Sequence, residues 1–479
     1  MALTYKKPGV YVEEIPKTLP TIAPVETAVP AFIGYTQQAT KLAADDLHLL
    51  PTRITSLAEY TRFFGGPQPE TRLTVAIQEQ QDAAGKRLAL RAVATLAEAD
   101  RSRHILYYAL QLFFANGGGA CYIVSVGGYK ALGTALVASE LAAGLHQVQA
   151  VDAPTLLLFP EAQALEAIAD FKRLHDEALA QCALLGDRFL LLDVHGGNLS
   201  LADPATRLLD AVANFRLAGV GAANLSYGAA YAPNLETVLD YAVDETQVAV
   251  SYALNGKAAI VSKLNTLDTS NPAYYEQARQ AIRDLPCKLP PSAAVAGIYA
   301  RTDYNRGVWK APASEDLMAV IQPTIALTTA MQDQLTIDAA GGKSVNAIQR
   351  FVGRGTLVGG ARTLAGNDNQ WRYVSVRRLC LFVQESVRAG TASLAFEPND
   401  PTTWARARGM IENFLNTLWR QGALQGAKPE QAFYVAVGLG KTMTALDIRE
   451  GRLVVELGLA AVRPAEFIVL KFSHKMAES

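Results

Sequence analysis

The chain has 479 residues, half hydrophobic and 19% charged, which is material for about three domains or one large elaborated domain and excludes wholesale disorder. Lys+Arg totals 44 and Asp+Glu 45, so a formal charge of −1 argues against a polyanion-wrapping protein and permits self-association. Four scattered cysteines without a C-x-x-C pair read as reduced thiols of a cytosol-made protein; the N-terminus carries no secretory signature and no 18-residue apolar stretch is present.

Residues 1–30 differ from the rest. Pro8, Pro16, Pro20, Pro24 and Pro30 surround a strand-forming run, GVYVEEI (9–15). Proline at this spacing excludes helix and favours extended backbone. Fully extended as polyproline II, residues 16–30 would span roughly 45 Å at about 3.1 Å per residue. The segment reads as an arm that reaches beyond its own domain.

From Ala31 to about Pro233 the chain alternates strand and helix. Strands are predicted at 31–36, 121–126, 155–160 and 188–194, and helices across 104–115 and 161–182. Continuously apolar strands separated by helices indicate a parallel sheet covered on both faces. Residues 234–330 are less regular. From Ser344 the pattern changes, with 371–387 moving from strand alternation towards helix. A helix over 401–424 starts at Pro401 and places Ile411, Phe414, Leu415 and Leu418 on one face. Residues 442–448 and 452–458 read as a β-hairpin turning at Gly451, and 465–472 as a last strand. The predicted architecture is an N-terminal arm (1–30), a layered α/β domain (31–343), an α+β C-terminal domain (344–463) and a C-terminal arm (464–479).

Sites of chemistry are sparse. Gly117–Gly119 follows a helix and precedes a strand, the reverse of the order that cradles a phosphate. Gly440-Lys441-Thr442 would need a glycine at 435 to complete a P-loop, and Val435 stands there. The most enzyme-like spot is Asp193 and His195 at a buried strand end, the alternative being an α/β hydrolase or ligand-binding protein. Ser200 and Ser226 are its only nucleophile candidates, with no G-x-S-x-G elbow. Metal-ligand spacing is absent from the histidines and cysteines, so no metal, cofactor or nucleotide is expected. Arg372, Arg377 and Arg378 could touch an anion, but read first as a solvated strand face.

The two ends carry more information. An unpaired first strand and an apolar last one would be aggregation hazards if left in water. The last pairs either with its own 452–458 segment or, together with residues 9–15, completes a sheet in another copy. Two donated strands per copy would give an open, heterologous assembly.

Six blocks, in order, resemble contractile tail sheath proteins: KKPGVYVEEI (6–15), FFANGGGACYIVSV (113–126), LSYGAAYAPN (225–234), PPSAAVAGIYARTDYNRGVWKAPA (290–313), VNAIQRFVGRGTLVGGARTL (345–364) and TMTALDIREGRLVVELGLAAVRPAEFIVLKFSHK (442–475). The resemblance implies a non-enzymatic subunit of a helical sleeve of stacked hexameric rings around an inner tube, its α/β domain subtilisin-like in topology only. The sleeve would end on baseplate and cap proteins, with room for sister sheath subunits, and without nucleic acid or membrane insertion. It implies assembly in the bacterial cytoplasm and action in a phage tail or released tail-like particle. In the arms it points to Gly9, Val10, Tyr11, Val12, Glu13, Glu14 and Ile15, and to Glu466, Phe467, Ile468, Val469, Leu470, Lys471 and Phe472 within 465–472. The implied receiving hairpin holds Thr442, Leu446, Ile448, Leu453, Val455 and Leu457. The tube-facing candidates are Trp404, Arg406, Arg408 and Arg420.

Overall fold

The computed structural model describes residues 22–197, 204–257, 260–351 and 353–464. Both arm strands, 9–15 and 465–472, lie outside these residues, as does Ser200. The chain divides into two compact units: one holds residues 26–382 and the other holds residues 22–25 with 383–462.

The α/β unit is built on an eight-stranded sheet, in the order Gly355–Val358, Val345–Phe351, Gly228–Ala232, Phe189–Asp193, Leu156–Leu158, Pro30–Thr36, Cys121–Gly128, Thr52–Ile54. The six inner strands run parallel, and each edge strand is antiparallel to its neighbour. Alternate residues feed two separate cores. Phe32, Leu156, Leu158 and Leu191 pack on one face; Ile33, Leu157, Leu190 and Leu192 pack on the other. This is why these strands read as unbroken apolar runs. The helices expected at 104–115 and 161–182 are Leu106–Ala115 and Ile168–Leu185.

The expected domain boundary at 343/344 needs correction. Val345–Phe351 and Gly355–Val358 complete the large sheet, and the division falls at 382/383. The irregular stretch also resolves into elements. Ala249–Leu254 and Ile260–Lys263 join the long hairpin Thr74–Gln81/Arg87–Thr95 in a separate four-stranded sheet. Helices Leu264–Ser270 and Pro272–Arg283 close a small core with it around Val75, Ile77, Val250, Leu267 and Ile282.

In the C-terminal unit the helix Pro401–Arg420 is capped by Asp400, whose carboxylate accepts the Thr403 N–H, and buries Ile411, Phe414, Leu415 and Leu418. The predicted hairpin is wrong in its first strand. Residues Ala445–Arg449, with Leu446 and Ile448, form a short helix. Thr444 and Asp447 close a reciprocal capping box at its start, a T-x-x-D signal that outweighs the alternation of apolar residues. Gly451, at φ 72°, turns the chain after that helix. Val455–Leu459 pairs instead with Phe433–Val437.

Candidate functional site

The carboxyl ends of the parallel strands are where an α/β sheet would bind a ligand. There a cleft of about 440 Å³ is lined by Arg101, Arg103, Gln163, His195, Asn234 and Lys288 among others. Its polar groups are engaged with one another. Gln163 donates to the Val194 carbonyl (2.8 Å) and exchanges amide hydrogen bonds with Asn234. Arg103 pairs with Glu166, and Arg101 with Glu98 and the Lys288 carbonyl.

Asp193 and His195 do not act as a pair. Asp193 is buried and accepts from the Ser292 N–H (2.9 Å) and the Ser292 hydroxyl (2.5 Å), so it anchors the start of the helix Ser292–Arg306. Burial pushes its carboxyl up to about 7, against those hydrogen bonds. Ser292 is 1% exposed and out of reach of a substrate. His195 donates Nε2–H to the Leu165 carbonyl (2.7 Å), since a carbonyl can only accept. Ser226 accepts from Arg377.

At the switch point of the sheet, where the chain leaves Pro30–Thr36 for opposite sides, Glu161 is fully buried. It accepts the Tyr35 N–H (2.9 Å) and faces His104 Nδ1 at 3.5 Å. His104 Nε2 accepts the Lys130 N–H (2.9 Å), which fixes the neutral tautomer. The arrangement ties strand ends to one another, and leaves His104 Nδ1 and Glu161 Oε1 buried without a hydrogen-bond partner. Among the described residues no group of three or more His, Cys, Asp or Glu side chains is placed to hold a metal, and no helix is long and apolar enough to cross a membrane. Cys121, Cys182 and Cys287 are buried, and burial pushes the Cys287 thiol up to about 12.

Arg377 and Arg378 sit on a buried helix, Val374–Thr391, and not on a solvated strand. Arg377 lies between the rings of Trp371 and Tyr227, at 3.8 and 4.0 Å, and Arg378 forks onto Asp303 at 2.6 and 2.9 Å. The first turns of that helix, residues 374–379, are buried at every position, so they show no amphipathic stripe and resembled a strand. Arg372 donates to the Gly366 carbonyl and to Asn369.

The surface features of the C-terminal unit are of another kind. Its sheet has two strands among the described residues, Phe433–Val437 and Val455–Leu459, with Val455, Leu457 and Leu459 half-buried. A two-stranded sheet is marginal alone and leaves unpaired edge groups. A cavity of about 320 Å³ is lined by Leu394, Phe396, Ile411, Leu453 and Val455 among others. Of the hairpin candidates, Val455 and Leu457 are on a strand, Leu453 precedes it, and Thr442, Leu446 and Ile448 are not. On Pro401–Arg420, Arg406, Arg408 and Arg420 are exposed, while Trp404 is half-buried and donates to Asn399 (2.6 Å). Arg406 faces Glu397 at 3.6 Å and Arg408 binds Glu412 at 2.7 Å, so each carries its own counter-charge.

Residues 366–475 match the family model of the phage tail sheath C-terminal domain. No curated protein sequence matches the chain. Among solved structures, the chain is similar to the contracted sheath complex of an extracellular contractile injection system, PVC, at 27% identity and TM-score 0.63, over 99% of each chain. It is similar to the contracted helical sheath of the anti-feeding prophage, at 29% identity and TM-score 0.62, over 98% of this chain and 100% of that one. A chain of that prophage's contracted baseplate matches at 26% identity and TM-score 0.65, over 99% and 100%.

Proposed function

We propose, from a chain that is similar to contractile sheath proteins along its whole length, that the protein is a structural subunit of a contractile sheath. The observation that carries this is the end-to-end match to injection-system sheaths, joined to the sheath-domain match at 366–475. Engagement of Asp193 by Ser292 and of His195 by Leu165 supports a non-enzymatic role.

Copies polymerise as stacked hexameric rings in a helical sleeve around an inner tube, and shortening of the sleeve drives the tube through a target envelope. Injection-system relatives, and not phage tails, are the pattern we carry over. The sleeve therefore belongs to a released tail-like particle assembled in a bacterial cytoplasm, ending on a baseplate and a cap. Contraction draws on two packings of one lattice and consumes no nucleotide.

Residues 9–15 and 465–472 serve as strands donated to the Phe433–Val437/Val455–Leu459 sheet of neighbouring copies. The open edges of that sheet support this, as does its half-buried apolar row. The exposed stripe of Pro401–Arg420, with Arg406, Asn413 and Arg420 seven residues apart, faces the tube. Negative-stain microscopy of the chain co-expressed with its tube protein tests the reading: sleeves of uniform diameter are expected, and a monodisperse globular particle under all assembly conditions overturns it.

A further inference from the structure

The chain passes between its compact units at 25/26 and again at 382/383, the second time inside the helix Val374–Thr391. The first turns of that helix are held in the α/β unit by the stacked Arg377 and the Arg378–Asp303 fork. Its last turns carry Ser386 and Gly390, four residues apart and therefore on one face. Both are weaker helix formers than alanine. Their tertiary contacts account for them. Ser386 is fully buried, and its Oγ accepts the N–H of Val25 (3.2 Å). A Cβ at Gly390 would lie 2.7 Å from Ile22 Cγ1 and 2.8 Å from Cγ2, and Ile22 is buried there.

We propose that Ser386 and Gly390 form a seat that fixes the root of the N-terminal arm on this shared helix. Tension on the arm then enters the last turns of the helix and passes through Arg377 and Arg378 into the α/β unit. The inference rests on residues 9–15 being an inter-subunit strand. Ile22 follows Ile15 by seven residues, a reach of at most roughly 25 Å. With so short a tether, the position of the seat sets which neighbouring edge the strand can meet and at what effective concentration.

The test uses the full chain with its tube. Gly390→Ala improves the helix yet crowds Ile22; Ser386→Ala improves the helix and removes only the acceptor for Val25. On unassembled subunits each variant should raise proteolysis within residues 16–25 by about tenfold, with no fall in melting temperature. Sleeves of either variant should separate between rings when shortened by acid or urea. Adding Ile22→Ala to Gly390→Ala, which clears the space, should restore intact shortening. If both single variants keep wild-type cleavage, or shorten intact while sleeves lacking residues 1–15 come apart, the seat is overturned. Intact shortening of the 1–15 deletion itself overturns the arm reading beneath it.

Discussion

Replacing Asp303 by alanine strands the Arg378 guanidinium in a place with no water to receive it. Both side chains are 5% exposed, and the carboxylate takes two charge-assisted hydrogen bonds, at 2.6 and 2.9 Å. Tyr299, whose ring lies 4.6 Å from the guanidinium, supplies a π face but no hydrogen-bond acceptor of comparable strength. Removing one partner of such a pair costs about 3–5 kcal/mol, mainly because the other charge stays buried. For a unit of roughly 350 residues, at about 2.1 cal/mol/K per residue, unfolding entropy is about 0.7 kcal/mol/K, so the loss lowers the melting temperature by about 4–7 °C. Differential scanning calorimetry of unassembled protein at pH 7 reads this directly. Asp303→Leu combined with Arg378→Met, which removes both charges and keeps apolar volume, should recover most of it. A fall below about 1 °C in the single variant would refute the reasoning, because it would mean that the guanidinium finds water.

Asp193, raised to about 7 by burial, holds its proton more tightly folded than unfolded, so its contribution is complete below about pH 3.9 and lost as pH rises through 7. His175, lowered to about 4 by burial, contributes above about pH 6.5 and loses that as pH falls towards 4. Urea melts should therefore show Asp193→Asn flattening the decline between about pH 4 and 7, with a residual slope over the same window from Glu70, also raised to about 7 by burial. Under the arm reading, Ile468→Pro removes a ladder donor, so sleeves should be lost while calorimetry of the subunit is unchanged. Reversing Arg406 and Arg408 to glutamate places each beside Glu397 and Glu412, so tube occupancy counted on micrographs should fall most at low salt. Unchanged occupancy would move the tube contact elsewhere.

Elements whose burial is symmetric or one-sided were legible from local pattern. The centres of the predicted strands, Ala31–Ile33, Leu156–Phe159 and Phe189–Leu192, are apolar at every position because both sheet faces are covered, and composition alone reports that. The helix at Pro401 announces itself through its proline start and its single apolar face, while its Asp400 cap was seen only in the structure. Six ordered blocks of similarity carried the functional reading further than any local chemistry did. Places where distant residues overrule local pattern were not legible in this way. Val374–Thr391 hides two arginines because Asp303, Tyr227 and Trp371 receive them, and no local signal marks a buried cation as satisfied. Val455–Leu459 takes Phe433–Val437 as its partner because the Thr444–Asp447 cap turns the nearer segment into helix. Gly390 looks like a defect in a helix until Ile22, 368 positions earlier, is seen filling the notch. Pairing and notch-filling are properties of two segments at once, so neither segment alone encodes them.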